Sequence, residues 1–444
     1  MFTKLLIAHH GESALRVART CERLGIATVA IYAEVDAAAA HVTTCDAAVC
    51  TGPDPSSAYS DARAIIEAAK AQGADAIHPA GGVLARDIAF ARAVAESGLV
   101  FVGCPLAALE RFVDVQASRA LAVQAGVRAL PSAVVALAER PRAAELAEAL
   151  GFPLRVLAKG LELALAEDDY ELEAALERAA RDGEISVTLE LALERARALS
   201  VQVAADATGT CVALGDVEHS IALPPYGLID EAPAPAFSGL ANAAFKRQTL
   251  WSAATAVASE GGLVGLASIE FMLDTSRRLY FVRVVPGLPL EHGLTEICSG
   301  FDLVEAQLRV AAGEPLPATV RNAQPSGHAL LARVYSMAEG PATPETRTTV
   351  SALRWPVMPP GTLRIDSELT VGSSAAIDRD PLLAKVVTYG QTRHQAVLTL
   401  DRVLAEATIE PMRTNMEQLR EILADESYRA GQYDVDTISR LFPG

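Results

Sequence analysis

The first 112 residues alternate short apolar runs with amphipathic ones, and this constrains the fold more than any other feature of the chain. Strands are expected at Lys4–Ala8, Ala27–Tyr32, Ala76–His78 and Val100–Val102. Helices are expected between them, at Glu12–Leu24, Ser57–Gln72 and Leu84–Ser97. Strands joined through helices pair in parallel, and a parallel sheet buries both faces, so an α/β domain is predicted. The first strand-to-helix turn, Ala8-His9-His10-Gly11-Glu12, lacks G-x-G-x-x-G, which disfavours a nicotinamide or flavin dinucleotide site.

Residues 113–130 read as a helix and linker, and 131–200, rich in Ala, Leu and Glu, as compact and helical. Strand signals return at Ser200–Ala205 and Thr210–Leu214. A helix is expected over Asp302–Ala312, a strand over His328–Tyr335, and helices over Arg393–Ala407 and Met412–Leu423. Gly340–Met358 is Pro/Thr-rich and reads as loop. The stretch Ile269–Glu296 reads IEFMLDTSRRLYFVRVVPGLPLEHGLTE. Two strands, Ile269–Leu273 and Leu279–Val285, flank the polar turn Asp274–Arg278. Paired strands with acids at their ends can hold metal-bound phosphates. Here one acid is present, Glu270, and the second strand carries Arg283.

The formal net charge of −17 argues against sequence-independent binding of nucleic acid or anionic membrane. No apolar run reaches the length of a membrane span, and Met1-Phe2-Thr3-Lys4 leads straight into a strand without a secretory signal. The six cysteines lack CxxC or zinc spacing and read as buried hydrophobes in a reducing compartment; a cytoplasmic protein is expected.

Several runs are recognisable. KLLIAHHGESALRVARTCERLGIATVAIY resembles the opening of biotin carboxylases, with its I-A-N-R-G-E-I-A-x-R. AIHPAGGVLARD is similar to their A-I-H-P-G-Y-G-F-L-S-E-N, and Asp230–Pro235 to E-E-A-P-A-P. Gly300–Leu316 is nearly unaltered family sequence; GHALLARVY and Asp380–Val386 also match. The matches lie in order over the whole chain. The resemblance implies an N-terminal Rossmann-like domain (1–113), an ATP-grasp domain (114–320, lid about 131–200) and a C-terminal α+β domain (321–444). Family members use ATP, Mg and bicarbonate to make carboxyphosphate, then carboxylate biotin on a carrier. This chain has no Met-Lys-Met biotinylation motif, so a carrier would be a separate protein.

The residues that carry this chemistry are largely changed. The glycine-rich lid loop aligns with Leu157-Ala158-Lys159-Gly160-Leu161-Glu162, and Leu and Ala favour helix there. The family's lysines align with Val115, Leu157 and Gly227. Lys159 is a substitute ATP contact or a solvated lysine. Glu270 matches the first metal carboxylate, whereas the second aligns with Arg283, the nearby asparagine with Val285 and the catalytic arginine with Gly287. Other matches persist. Leu290 and Glu291 correspond to the bicarbonate site, with Glu291 as base, or Glu291-His292 simply caps a helix. Arg364 matches an arginine near biotin, or is a surface charge. Glu190 matches the acid that meets the adenine amino group. Lys385 and Arg333 match residues that read as mostly structural. Arg16 and Arg19 match positions near the dimer contact, or face solvent.

With loop, lysines, metal ligand and arginine changed together, the resemblance implies a biotin carboxylase-like pseudoenzyme. No cofactor is expected. The partners expected are an active biotin carboxylase, biotin carrier or carboxyltransferase subunits, in a homo- or hetero-dimer. The alternatives are an active ATP-grasp ligase using ATP, Mg and carrier biotin, and a small-molecule sensor using the old cleft. Two local expectations follow: Arg283 pairs with Glu270 or Glu291, and the lid segment is helical.

Overall fold

A computed structural model describes residues 1–158, 161–224, 226–337, 347–376 and 381–443. Its first sheet is parallel, in the order β3-β2-β1-β4-β5, with β1 Lys4–Ile7, β2 Ala27–Ala33, β3 Ala47–Gly52, β4 Ala76–His78 and β5 Val100–Phe101. Helix α1 (Gly11–Leu24) follows β1; α2 (Ala40–Thr44) and β3 were not expected. The expected helix over Ser57–Gln72 is two, α3 (Pro55–Ala58) and α4 (Ala62–Ala71), because Asp61 caps a new N-terminus through the amides of Arg63 and Ala64. Likewise Asp87 starts α5 (Ile88–Glu96) after a 3₁₀ turn, Val83–Arg86. Helices α6 (Leu106–Val113) and α7 (Val115–Gln124) lead onward.

Residues 131–200 are not mainly helical. They form a sheet in the order β6-β9-β7-β8 (β6 Ser132–Ala136, β7 Leu154–Ala158, β8 Leu161–Ala166, β9 Ser186–Leu191), backed by α8 (Pro141–Leu150) and α9 (Asp169–Arg181). The lid segment expected to be helical is the β7–β8 hairpin. Leu154, Val156 and Ala158 are buried while Arg155 and Leu157 are half-buried, a period of two that pairing with β9 rewards over local helix propensity. Lys159 lies outside the described residues.

The central sheet has eight strands, ordered β14-β13-β10-β11-β12-β15-β20-β18. They are β10 Arg197–Ala205, β11 Cys211–Leu223, β12 Tyr226–Ala232, β13 Gly265–Leu273, β14 Leu279–Pro286, β15 His328–Tyr335, β18 Leu363–Asp366 and β20 Leu382–Gly390. The short pairs β16–β19 (Arg347–Thr349, Ser374–Ala376) and β17–β21 (Ala352–Arg354, Thr408–Glu410) lie outside it. Helix α10 (Ala243–Glu260) precedes β13, and α11 (His292–Ser299), α12 (Leu303–Ala311) and α13 (Ala318–Arg321) lie between β14 and β15. Helices α14 (Arg393–Glu406) and α15 (Met416–Ala424) follow β20. Pairing of β12 with β15 carries this one sheet from the central into the C-terminal part.

Alternation in β10 and β13 fixes the two faces. Leu199, Val201, Ile269 and Phe271 point into a core with Phe112 of α6, Leu121 of α7 and Val257 of α10. Ser200 and Glu270 therefore point the other way. A second cluster joins Leu5, Ile7 and Val17 to Ala204, Leu266 and Leu303, packing the first sheet against that opposite side. All six cysteines are free. Among the described residues no helix is long and apolar enough to cross a membrane.

Candidate functional site

The hairpin β13–β14 forms as expected. Its register slips between Glu270 and Phe271, so Phe271 meets Phe281 in the core while Glu270 meets Arg283 on the other face. Arg283 Nε donates to Glu270 Oε2 at 2.7 Å, and Glu270 raises the arginine's already high pKa. Of the two expected partners the arginine takes Glu270.

This pair begins a polar row that crosses all eight strands. Glu270 is the register partner of Ser200 on β10. Ser200 Oγ lies 2.7 Å from His219 Nε2 on β11, and His219 Nδ1 lies 3.0 Å from Asp230 Oδ1 on β12. Asp230 Oδ2 meets Arg333 on β15 at 2.7 Å. Arg333 is paired in register with Lys385 on β20, and Lys385 with Asp366 on β18. Lys385 Nζ bonds Glu12 of α1 at 2.8 Å and the Leu290 carbonyl at 3.0 Å, tying three parts of the chain together.

Ser200, His219 and Asp230 have the spacing of a hydrolytic triad, but not its electrostatics. Burial opposes charge on His219, yet Asp230, then Glu291 and Glu270, outweigh it and lift its pKa to about 9. At neutral pH the imidazolium donates to Ser200 and has no lone pair with which to take its proton.

Glu291 occupies the N-cap position of α11 without a side-chain cap bond. Its buried carboxylate instead accepts from Ser268 Oγ at 3.4 Å and stands 3.9 Å from His219 Nε2. Leu290 is half-exposed and contributes its carbonyl to Lys385. Arg364 is no free surface charge. It bonds Asp366 at 2.9 Å, Glu296, and His292 Nε2 at 3.2 Å. Burial, then Lys385, holds His292 down at about 4. Arg16 is engaged within the chain, with Glu296 at 2.6 Å and Asp302 at 2.8 Å, whereas Arg19 is exposed.

Glu190 is buried in β9, and Arg119 of α7 holds its carboxylate. The same guanidinium donates to the Val282 carbonyl at 3.3 Å. Gln116, three residues earlier on α7, reaches Ser132 at 3.3 Å, so α7 grips both strands by which the chain enters and leaves the lid. Sequence reading missed Arg119 and His219, which belong to no run resembling a motif.

The positions of the missing cations are equally informative. A Cβ at Gly227 would lie 2.0 Å from Nη1 of Arg333, so the glycine leaves room for a guanidinium where a lysine side chain is expected. Gly287 has φ +102°, and a Cβ there would meet Ala85 Cβ at 3.2 Å; an arginine is strained at that position. Val115 opens α7, Leu157 lies in β7 and Val285 in β14, all half-buried and apolar. Magnesium requires several oxygen ligands. Both Glu270 oxygens face Arg283, at 2.7 and 3.4 Å, and no group of three His, Cys, Asp or Glu residues that could hold a metal occurs among the described residues. These residues do not fit a magnesium–phosphate site.

Family models match in order: "Biotin carboxylase, N-terminal domain" over residues 1–109, "Carbamoyl-phosphate synthase L chain, ATP binding domain" over 114–319, and "Biotin carboxylase C-terminal domain" over 332–440. The chain is 34% identical to a biotin carboxylase of Halalkalibacterium halodurans, over 97% of this chain and 96% of that one. It is 31% identical to the mitochondrial propionyl-CoA carboxylase alpha chain of Sus scrofa, and spans 61% of that longer protein. A Campylobacter jejuni biotin carboxylase in a beta-gamma-ATP complex superposes with TM-score 0.90 at 25% identity, covering 99% of both chains. The biotin carboxylase domain of Hydrogenobacter thermophilus 2-oxoglutarate carboxylase, a dimer with MgADP and bicarbonate, also gives 0.90, at 28% identity over 99% and 98%. Three successive domain matches, full-length identity and the shared three-domain fold agree: the chain belongs to the biotin carboxylase family.

Proposed function

We propose that the chain is a non-catalytic biotin carboxylase-like subunit, structural or regulatory, of a biotin-dependent carboxylase of the acyl-CoA type. The observation that carries this is the Glu270–Arg283 ion pair, which places a fixed guanidinium on the one metal carboxylate that remains. Two further contacts are consistent with it. Arg119 takes Glu190, and Arg333, which matches a family residue, fills the space beside Gly227 where the family has a lysine. Losing a single preorganised electrostatic contact slows an enzyme by roughly 10²–10³. Here several are replaced together, and one of the replacements, Arg283, pairs with the remaining metal carboxylate.

On this reading the chain works in the cytoplasm beside an active biotin carboxylase, a biotin carrier or a carboxyltransferase subunit, since relatives such as the propionyl-CoA carboxylase alpha chains are longer subunits of acyl-CoA enzymes. Calorimetry with Mg–ATP on the purified chain should give no binding heat, and bicarbonate- and biotin-dependent phosphate release should stay at background. Release well above background, abolished by Glu291→Gln, would establish an active ligase instead. Affinity purification from the native cell should recover carboxylase subunits; a lone monomer would count against the subunit role.

A further inference from the structure

We propose that Arg86 and Arg283 form a metal-free oxyanion site at the former metal position, taking a phosphate or carboxylate group of a small ligand. The proposal rests on the reading that magnesium does not bind there. Arg283 approaches from β14, with 46% of its side chain exposed even while it holds Glu270. Arg86 approaches from the 3₁₀ turn that follows β4. That turn abuts the end of β14: Ala85 Cβ is 3.2 Å from where a Cβ of Gly287 would stand.

The charges at this place do not balance. Arg86 makes no hydrogen bond or ion pair among the described residues, although the field of Glu270 reaches it. Burial, and then the neighbouring Arg283, lower its pKa, the condition of a guanidinium short of a counter-charge. Arg283 and Arg86 therefore have Glu270 as their nearest shared carboxylate, the other acid that acts on Arg283, Glu190, being held by Arg119. The chain as a whole carries −17, so a locally positive cleft is not a by-product of composition.

Both arginines stand where the family pattern has an acid. AIHPAGGVLARD aligned with A-I-H-P-G-Y-G-F-L-S-E-N puts Arg86 at a glutamate, and Arg283 also stands at a glutamate. Two positions where the family pattern has a glutamate carry guanidiniums, whose planar donor forks suit oxyanions.

The test is calorimetry in EDTA at low salt on the full chain, with inorganic pyrophosphate as the phosphate probe and citrate as the carboxylate probe. Binding by either supports the site, and the stronger probe names the source. Arg86→Ala should weaken it about ten- to a hundredfold, the range for a charge-assisted contact, and Arg86→Glu should abolish it. Arg86 has no ion pair or hydrogen bond to lose among the described residues, so both variants should keep the wild-type melting temperature. Glu270→Gln, which frees Arg283, should bind at least as tightly as wild type. Equal affinity in wild type and Arg86→Glu, or no binding of either probe at millimolar concentration, overturns the proposal. Binding that requires Mg²⁺ and is lost in Glu270→Gln overturns it together with the non-catalytic reading. Failure to bind oxyanions in EDTA, with Mg–ATP also silent, overturns this site alone.

Discussion

Gly227→Ala is the smallest change that tests whether Arg333 is confined in the space left open at Gly227. The added methyl carbon would stand 2.0 Å from Nη1 of Arg333 and 3.0 Å from Cζ, so the guanidinium has to leave. An arginine tip usually moves at little cost. This one is 7% exposed and holds Asp230, which is fully buried, at 2.7 Å. Breaking a buried pair while leaving a charge behind costs roughly 3–5 kcal/mol. His219 stays on Asp230 at 3.0 Å, so the expected loss falls below that range, about 2–3 kcal/mol. Absolute unfolding free energies are poorly defined for a chain with several domains, but a double-mutant comparison on one calorimetric transition does not need them. With Arg333→Met in place, the side chain ends short of Nη1 and Cζ, can bend away, and leaves no ion pair to be broken, so Gly227→Ala should cost less than about 0.5 kcal/mol there. The coupling should therefore be about 2 kcal/mol. If Gly227→Ala costs the same in both backgrounds, or nearly nothing in the wild type, Arg333 is not confined as described.

Arg283→Glu sets a second carboxylate opposite Glu270. It should destabilise by about 0.5–1 kcal/mol, and millimolar Mg²⁺ should recover that loss in the variant without moving the wild-type melt; an equal response in both contradicts the metal argument. Arg119→Ala leaves Glu190 buried and unpaired and should cost about 3–4 kcal/mol, most of it recovered when Glu190→Leu is added; full additivity would mean that the pair is not coupled. His219 is raised from about 6.5 to about 9. A raised pKa stabilises fully below the unfolded value and fades as pH climbs through the folded one, so the loss falls between about pH 6.5 and 9. A shift of that size corresponds to at most about 3.4 kcal/mol, and with 22% of the side chain exposed roughly 2 kcal/mol is expected. His219→Asn should flatten this alkaline limb; wild-type stability unchanged between pH 7 and 10 would refute the assignment.

The scaffold was legible where local pattern and tertiary pairing agree. Strands β2, β4 and β15 and the β13–β14 hairpin follow from apolar runs and turn residues. Asp61 and Asp87 were readable as helix starts, and ignoring them merged separate elements. The lid failed for a different reason. Its Ala and Leu residues favour helix individually, but the period-two burial of Leu154, Val156 and Ala158 is decided by β9, which lies about thirty residues on. At the site, Arg283 could be foreseen because its partner sits across the same hairpin. Arg119 is 71 residues from Glu190, and His219 lies on a different strand from each of its partners. No local spacing encodes such pairs; they become visible only when the strand order is known.

The retained acids therefore carry little weight as signs of catalysis. A carboxylate left in a half-buried cleft after its metal and substrate contacts are lost costs free energy unless it is paired or protonated. Glu190, Glu270 and Asp230 each have a guanidinium from another strand or helix, and Glu291 faces an imidazolium. Each cation stabilises its acid, so selection on folding alone can keep the acid in place. The same pairing predicts how the chain resists reversal. Restoring one ancestral residue breaks a pair before it builds a ligand set, so a single reversion should lose stability without gaining activity. At Gly227 the obstacle is the guanidinium of Arg333, a residue shared with the family, so a lysine restored there requires that guanidinium to move first.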